Sequence, residues 1–289
     1  MPVSTSVKLN TGAEMPTLGL GTWKSQPGAV GVAVTHALKH GYKSIDTAAA
    51  YGNEAEVGQG IKNSGVARDQ FFLTTKLNNN DHKDVEGALN SSLQKLGTNY
   101  LDLWLMHWPA PMNADCTEAD KSCLSGLNLN LSNIHGVSNF SIKFLTRLLE
   151  NSDVVPAVNQ IELHPSCPQQ ELVDLCRSKG IIVTAYSPLG SDNSPLLTDP
   201  IVTKLAEKHN VQPANVLVSL QANRPSINVL AKSVTPSRIE TNSKIVDLTE
   251  EEITELQSID KKKHFRVCHP SWTGWGSLGF DDCLDADNA

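Results

Sequence analysis

No stretch of this 289-residue sequence approaches the ~20 consecutive apolar residues of a membrane-spanning helix. Positive charge is also scarce. The formal net charge is −7, which argues against a general nucleic-acid or anionic-membrane surface. The first residues, MPVSTSVKLNTG, lack the basic start and apolar stretch of a secretory leader, so a cytoplasmic protein is expected. Cysteines 116, 123, 167, 176, 268 and 283 are scattered without a Cys-x-x-Cys pair. Free thiols in a reducing compartment account for them more simply than a disulfide framework or a zinc site. No His-x-x-x-His or similar ligand spacing is expected, and no metal. Hydrophobic residues at 39% and charged residues at 19% suit an ordinary globular chain, long enough for one large barrel or two smaller domains.

Two common catalytic devices are also missing. No Gly-x-Gly-x-x-Gly follows a strand, and the glycines of LGLGTW (Leu18–Trp23) have the wrong spacing for a Rossmann site. No Ser-His-Asp arrangement is legible.

What is present is alternation. After a hairpin-like start, eight apolar runs read as strands: Thr17–Trp23, Ser44–Ala48, Phe71–Leu77, Leu101–His107, Ile134–Phe140, Ala157–Leu163, Ile181–Leu189 and Ile227–Val234. Amphipathic segments separate most of them: Ala29–His40, Asn53–Ser64, Lys83–Leu96, Ile142–Glu150, Gln169–Ser178, Pro200–His209, Pro213–Asn223 and Pro236–Asn242. Eight such units close into an α/β (β/α)8 TIM barrel, here a single domain over 1–289 with 265–289 as C-terminal loop and tail.

In such a barrel the chemistry gathers at the C-terminal ends of the strands. Asp46, Lys76 and His107 lie there, with Tyr51 one short loop past Asp46. Singly, each is an ordinary polar residue at a strand end. Jointly they offer a phenol as general acid, an ammonium expected to lower its pKa, a carboxylate to hold the ammonium, and an imidazole to orient a carbonyl. A proton donor with neither nucleophile nor metal suits carbonyl reduction, which needs a bound hydride donor. The segment AKSVTPSRIETN (Ala231–Asn242) sets Lys232, Ser233 and Arg238 around a helix start. Two cations there suit an additional phosphate, pointing to NADP over NAD. Tyr186 could stack on a nicotinamide.

The segments LGLGTW, DTAAAYGNEAEVG, TTKL, YLDLWLMHWP, GVSNFS, VPAVNQIELHP, IIVTAYSPLG and AKSVTPSRIETN span almost the whole chain. Together they resemble the aldo-keto reductase superfamily, in its fungal and animal aldehyde and aldose reductase branch. The resemblance implies NADP(H)-dependent reduction of aldehydes or ketones by a monomer, with the catalytic tetrad Asp46, Tyr51, Lys76 and His107. It assigns Ser138, Asn139 and Gln160 to the carboxamide and Tyr186 to stacking. Lys232, Ser233, Arg238 and Asn242 are assigned to the adenosine 2′-phosphate. Thr22, Trp23, Asp46, Ser187, Leu189 and Val234 are further cofactor contacts. Trp23, Tyr51, His107, Trp108 and the stretch His264–Phe280 are the substrate wall. The ending resembles fungal enzymes acting on glyceraldehyde, glycerol or sugar-derived aldehydes. Thr241 stands where many relatives have Glu, and Ala231 where many have Pro.

One stretch departs from that pattern. His107 and Ser138 are only 31 positions apart, and the segment between them has no useful apolar stripe. The fourth barrel helix is expected to be missing or replaced by irregular chain, with a helical turn over Thr117–Cys123 capped by Thr117 and a strand-like Leu127–Leu131. Uncovering about five core side chains at about 1.5–3 kcal/mol each would cost roughly 7–15 kcal/mol. That rivals the ~5–15 kcal/mol of a typical domain. The chain is therefore read as an altered splice form or gene model with a weakened barrel side. The alternative to an active reductase is a non-catalytic or unstable cofactor-binding variant.

Overall fold

The computed structural model describes residues 3–120 and 135–288. Eight parallel strands close a barrel in sequence order: β3 (Leu18–Gly21), β4 (Ser44–Asp46), β5 (Phe72–Leu77), β6 (Leu103–Met106), β7 (Gly136–Ser138), β8 (Val158–Glu162), β9 (Ile182–Tyr186) and β10 (Ile227–Lys232), with β10 pairing back onto β3. Most of their residues are buried, as a parallel sheet covered on both faces requires. The expected hairpin, β1 (Ser6–Lys8) and β2 (Glu14–Pro16), is antiparallel. It plugs the N-terminal end of the barrel: Leu9 and Met15 pack against Phe72, Leu103, Leu105, Val158 and Ile182.

Helices α1 (Ala29–Lys39), α2 (Glu54–Ser64) and α3 (Val85–Leu96) follow β3, β4 and β5. α4 (Ile142–Asn151), α5 (Gln170–Ser178), α6 (Pro200–Lys208), α7 (Pro213–Ala222) and α8 (Pro236–Asn242) complete the ring. Gly65 and Gly97 end α2 and α3 in the left-handed conformation (φ 70° and 67°), open to glycine without a Cβ penalty. A ninth helix, α9 (Glu250–Gln257), is absent from the expected set. Its start was legible: Thr249 and Glu252 form a reciprocal capping box. The expectation of no His-x-x-x-His spacing is also wrong, because His36 in the last turn of α1 and His40 at its C-terminal cap stand four residues apart. The pair lies on a helix, away from the strand ends where ligands were sought.

In the short crossover one expectation, the helical turn capped by Thr117, is corrected. Among the described residues no helix stands between β6 and β7. Thr117 does not cap a helix there. Met112 and Ala119 form an antiparallel bridge, and the Thr117 backbone N–H donates to Asn113 Oδ1 at 2.9 Å, folding Pro111–Asp120 into a small hairpin-like loop. Leu127–Leu131 and Cys123 lie outside the described residues. The outer face of β6 is nevertheless covered: Trp104 and Met106 are only 2% and 1% exposed. They share a core cluster with Val137, flanked by Val85, Ala88 and Leu89 of α3 and Phe144, Leu148 and Leu149 of α4. β7 comes close to its neighbours: a Cβ on Gly136 would sit 2.6 Å from Leu105 Cδ2 and 2.9 Å from the Val158 carbonyl oxygen, so only glycine fits. The five cysteines among the described residues are unpaired, and no described helix is long and apolar enough to cross a membrane.

Candidate active site

The four expected residues meet at the C-terminal mouth of the barrel. Asp46 ends β4, Lys76 lies near the end of β5, and His107 follows β6 directly. Tyr51 ends a 3-10 turn, Ala49–Tyr51, after β4. Lys76 is fully buried and donates to Asp46 Oδ1 at 2.6 Å and to the Thr47 carbonyl at 2.7 Å. The Tyr51 hydroxyl stands 3.5 Å from the Lys76 ammonium. Gln160 Nε2 donates to Asp46 Oδ2 at 2.8 Å, so both carboxylate oxygens are engaged. The Tyr51 and His107 rings meet edge-to-face with centroids 5.6 Å apart, and His107 Nδ1 is buried without a partner.

The electrostatics correct one expectation. Lys76 was expected to lower the Tyr51 pKa, yet that pKa lies well above the usual value, pushed up by burial and then by the Asp46 charge and Cys268. Lys76 already spends its charge on Asp46 and Thr47, so little is left to offset burial. Burial likewise lowers the Lys76 pKa, against the pull of Asp46. His107 is pushed well down by burial and the nearby ammonium, so its imidazole is neutral. The arrangement holds a protonated phenol and a neutral imidazole side by side, with an ammonium placed to receive developing phenolate charge.

One cavity of about 1070 Å³ runs from these residues to α8. The structure brings Thr22, Trp23, Trp108, Ser138, Asn139, Gln160, Tyr186, Ser187, Leu189, Lys232, Ser233, Arg238 and Asn242 to its wall. Val234 is the exception. Its side chain packs against the core that Val30, Val34 and Ile239 share, because it falls on the opposite side of the chain from Ser233. Thr241, the departure from many relatives' Glu, also lines the cavity. The polar groups at the strand ends brace one another. Ser138 Oγ donates to the Gln160 carbonyl at 2.9 Å, Asn139 Nδ2 to the His107 carbonyl at 2.9 Å, and the Tyr186 hydroxyl to Asn139 Oδ1 at 2.8 Å. Asn139 and Ser187 adopt positive φ (61° and 51°), a strained backbone typical of functional sites. At the far end Arg238 is exposed and Lys232 reaches the Lys24 carbonyl at 3.1 Å.

Glu162, which holds the C-terminal part of the cavity wall, is not among the residues expected from the sequence. Glu162, at the end of β8, is fully buried. Its carboxylate accepts backbone N–H bonds from Val267 and Cys268, both at 2.7 Å, and lies 2.9 Å from His164 Nε2. This clasp seats the C-terminal loop over the barrel. Cys268, His269 and Trp272 then join the cavity wall, with Trp272 edge-on to Trp108 at 5.9 Å. A carboxylate at a strand end was visible in AVNQIEL, but its partners are about a hundred positions away.

The model of the aldo/keto reductase family matches residues 17–261. The chain belongs to that family. It is 44% identical to the glycerol 2-dehydrogenase (NADP(+)) of Saccharomyces cerevisiae, covering 92% of this chain and 95% of that protein. The alignment runs over 296 positions, more than the 289 residues present here, so that relative carries positions with no counterpart in this chain. It is also 46% identical to a D-galacturonate reductase of Hypocrea jecorina, covering 88% of this chain and 90% of that protein. Among solved structures, a Bombyx mori aldo-keto reductase in complex with NADP superposes with a TM-score of 0.84 at 33% identity, covering 97% of this chain and 100% of that one.

Proposed function

We propose that this chain is an NADPH-dependent reductase of aldehydes and ketones, acting on small aldehydes such as glyceraldehyde or, in reverse, oxidising glycerol. The observation that carries the reading is Lys76, bonded to Asp46 at 2.6 Å and set 3.5 Å from the Tyr51 hydroxyl, at one end of a cavity that reaches Arg238. The relatives named for NADP support the cofactor.

The residues present fit that cofactor. The cavity is lined both by Tyr51 and His107 and by Arg238, Arg238 has no ion pair among the described residues, and buried Asn242 and Ser233 also line its wall. Arg238, Lys232, Ser233 and Asn242 would hold the 2′-phosphate. Ser138, Asn139 and Gln160 would face the carboxamide, and Tyr186 would stack on the ring. When bound, NADPH supplies the hydride for the carbonyl carbon. Tyr51 gives its proton to the carbonyl oxygen, which completes the alcohol. Lys76 stabilises the phenolate left behind, and Asp46 keeps Lys76 charged and aimed. Neutral His107 can donate one hydrogen bond to orient the carbonyl. A monomer in the cytoplasm is the state this reading assumes, and the cysteines among the described residues, all unpaired, suit a reducing compartment.

NADPH consumption with glyceraldehyde by the purified chain, run beside Tyr51→Phe, tests the reading. Turnover in the native chain that collapses in the variant is expected. Absence of turnover in both, with NADPH still bound, would instead favour the non-catalytic cofactor-binding alternative.

A further inference from the structure

We propose that His36, His40 and Glu240 form a site for one divalent transition-metal ion, Zn²⁺ foremost, that staples α1 to α8. His36 lies in the last turn of α1 and His40 caps its C-terminal end. Four residues apart, their side chains share one helix face. Glu240 approaches from α8. Its Oε1 is 2.9 Å from His36 Nε2 and 3.9 Å from His40 Nδ1, and the three ligand atoms all lie within 4.8 Å of one another. Ligands at about 2.0–2.1 Å from a tetrahedral Zn²⁺ stand roughly 3.3–3.4 Å apart. The observed spacing brackets that value, and small rotations of partly exposed side chains bring all three to it.

The donor set selects the ion. Two imidazoles and one carboxylate suit Zn²⁺, Cu²⁺ or Ni²⁺, whereas Mg²⁺ and Ca²⁺ prefer oxygen alone. A simple His36–Glu240 hydrogen bond would account for two of these residues. It would not account for His40, whose ring stacks on His36 with centroids 5.1 Å apart and planes 17° apart, beside the same oxygen. The backbone is already in place. The Tyr42 hydroxyl, just past α1, donates to the Ile239 carbonyl at 2.9 Å, and Ile239 is fully buried in the core under α1. The ion therefore needs no helix movement to bind. Neither histidine nor Glu240 lines the catalytic cavity, so the site is separate from it. The helix it would clamp is the one that carries Arg238 and Asn242.

The test uses the full, untagged chain after chelator treatment, titrated calorimetrically with Zn²⁺ alone. Saturable binding of about one ion per chain in the micromolar range is expected, with a rise in Tm. His40→Ala and Glu240→Gln should each weaken binding by roughly 10–100-fold, the loss seen even for outer-shell partners of a metal site. His40→Ala, with its side chain half exposed, should keep the metal-free Tm and the metal-free reductase rate of the native chain. Mg²⁺ should give no saturable binding. Failure of Zn²⁺ to bind in the micromolar range would overturn the proposal. So would binding that survives both His36→Ala and His40→Ala unchanged, since that would place the ion on thiols elsewhere.

Discussion

The two walls of the cavity are built differently. The reacting end is braced by the barrel itself: Asp46, Lys76 and Gln160 come from β4, β5 and β8, are almost wholly buried, and bond one another directly. The opposite wall is a loop from the C-terminal stretch, held by one buried carboxylate, Glu162, and by ring contacts such as Trp108–Trp272. The polar cluster is thus placed on strand ends, and the facing wall, which under the proposed function would meet the variable part of a substrate, is placed on a loop. Loss of the first arrangement should abolish turnover, whereas loss of the second should change substrate affinity.

The largest effect should follow Tyr51→Phe. Loss of the proton donor should lower kcat by about 10²–10⁴-fold. Fluorescence titration should show NADPH binding retained, because the ring still fills its place. Next comes Lys76→Met, which leaves the buried Asp46 carboxylate with the Gln160 amide as its remaining side-chain partner. Removing one partner of such a buried pair costs about 3–5 kcal/mol. Calorimetry should show a sharply lowered Tm, and an unchanged Tm would mean that the pair is not the brace described. Glu162→Gln should loosen the second wall at about 1.5–3 kcal/mol, the range for a hydrogen bond to a charged group. Steady-state kinetics should then show KM for the aldehyde rising far more than kcat falls. An equal fall in kcat would erase the distinction between the walls. Trp272→Ala, which removes the edge-on contact at 5.9 Å, should shift KM by only about 0.5–1.5 kcal/mol.

The smallest effect is in acid. Burial alone would raise the Glu162 carboxyl, but His164 and the Val267 and Cys268 amides bring it below the usual 4.5. Glu252 is similarly drawn down to about 2, its burial outweighed by Lys208, the Thr249 amide and His209. A depressed carboxyl stabilises the fold above its unfolded value and loses that contribution as pH falls through the folded one. Stability should therefore hold down to about pH 4.5 and decline toward pH 2. In Glu162→Gln part of that decline should be missing from Tm measured against pH.

Much of this was legible in the linear chain, and the misses have different causes. The barrel followed from period and punctuation, since apolar runs and helical stripes report which faces are buried. Asp46, Tyr51, Lys76 and His107 were legible because each is tied to a strand end by local position. The clasp made by Glu162 and the approach of Glu240 to His36 and His40 were not, because those partners lie about a hundred and about two hundred positions apart. The expected helix at Thr117 failed because Asn113 offers that backbone a nearer acceptor. Asn side chains compete with helix formation in this way.

The residue pattern by itself therefore determined the barrel, the end of it that carries chemistry, and which four side chains gather there. Only the tertiary structure decided their protonation. Burial and the Asp46 charge raise the Tyr51 pKa, opposite to what a neighbouring lysine suggests, because desolvation depends on everything packed around a group and not on its sequence neighbours. It also decided that Trp104 and Met106 stay covered beside a shortened crossover, because they join a core cluster drawn from residues distant in sequence, which no local pattern records.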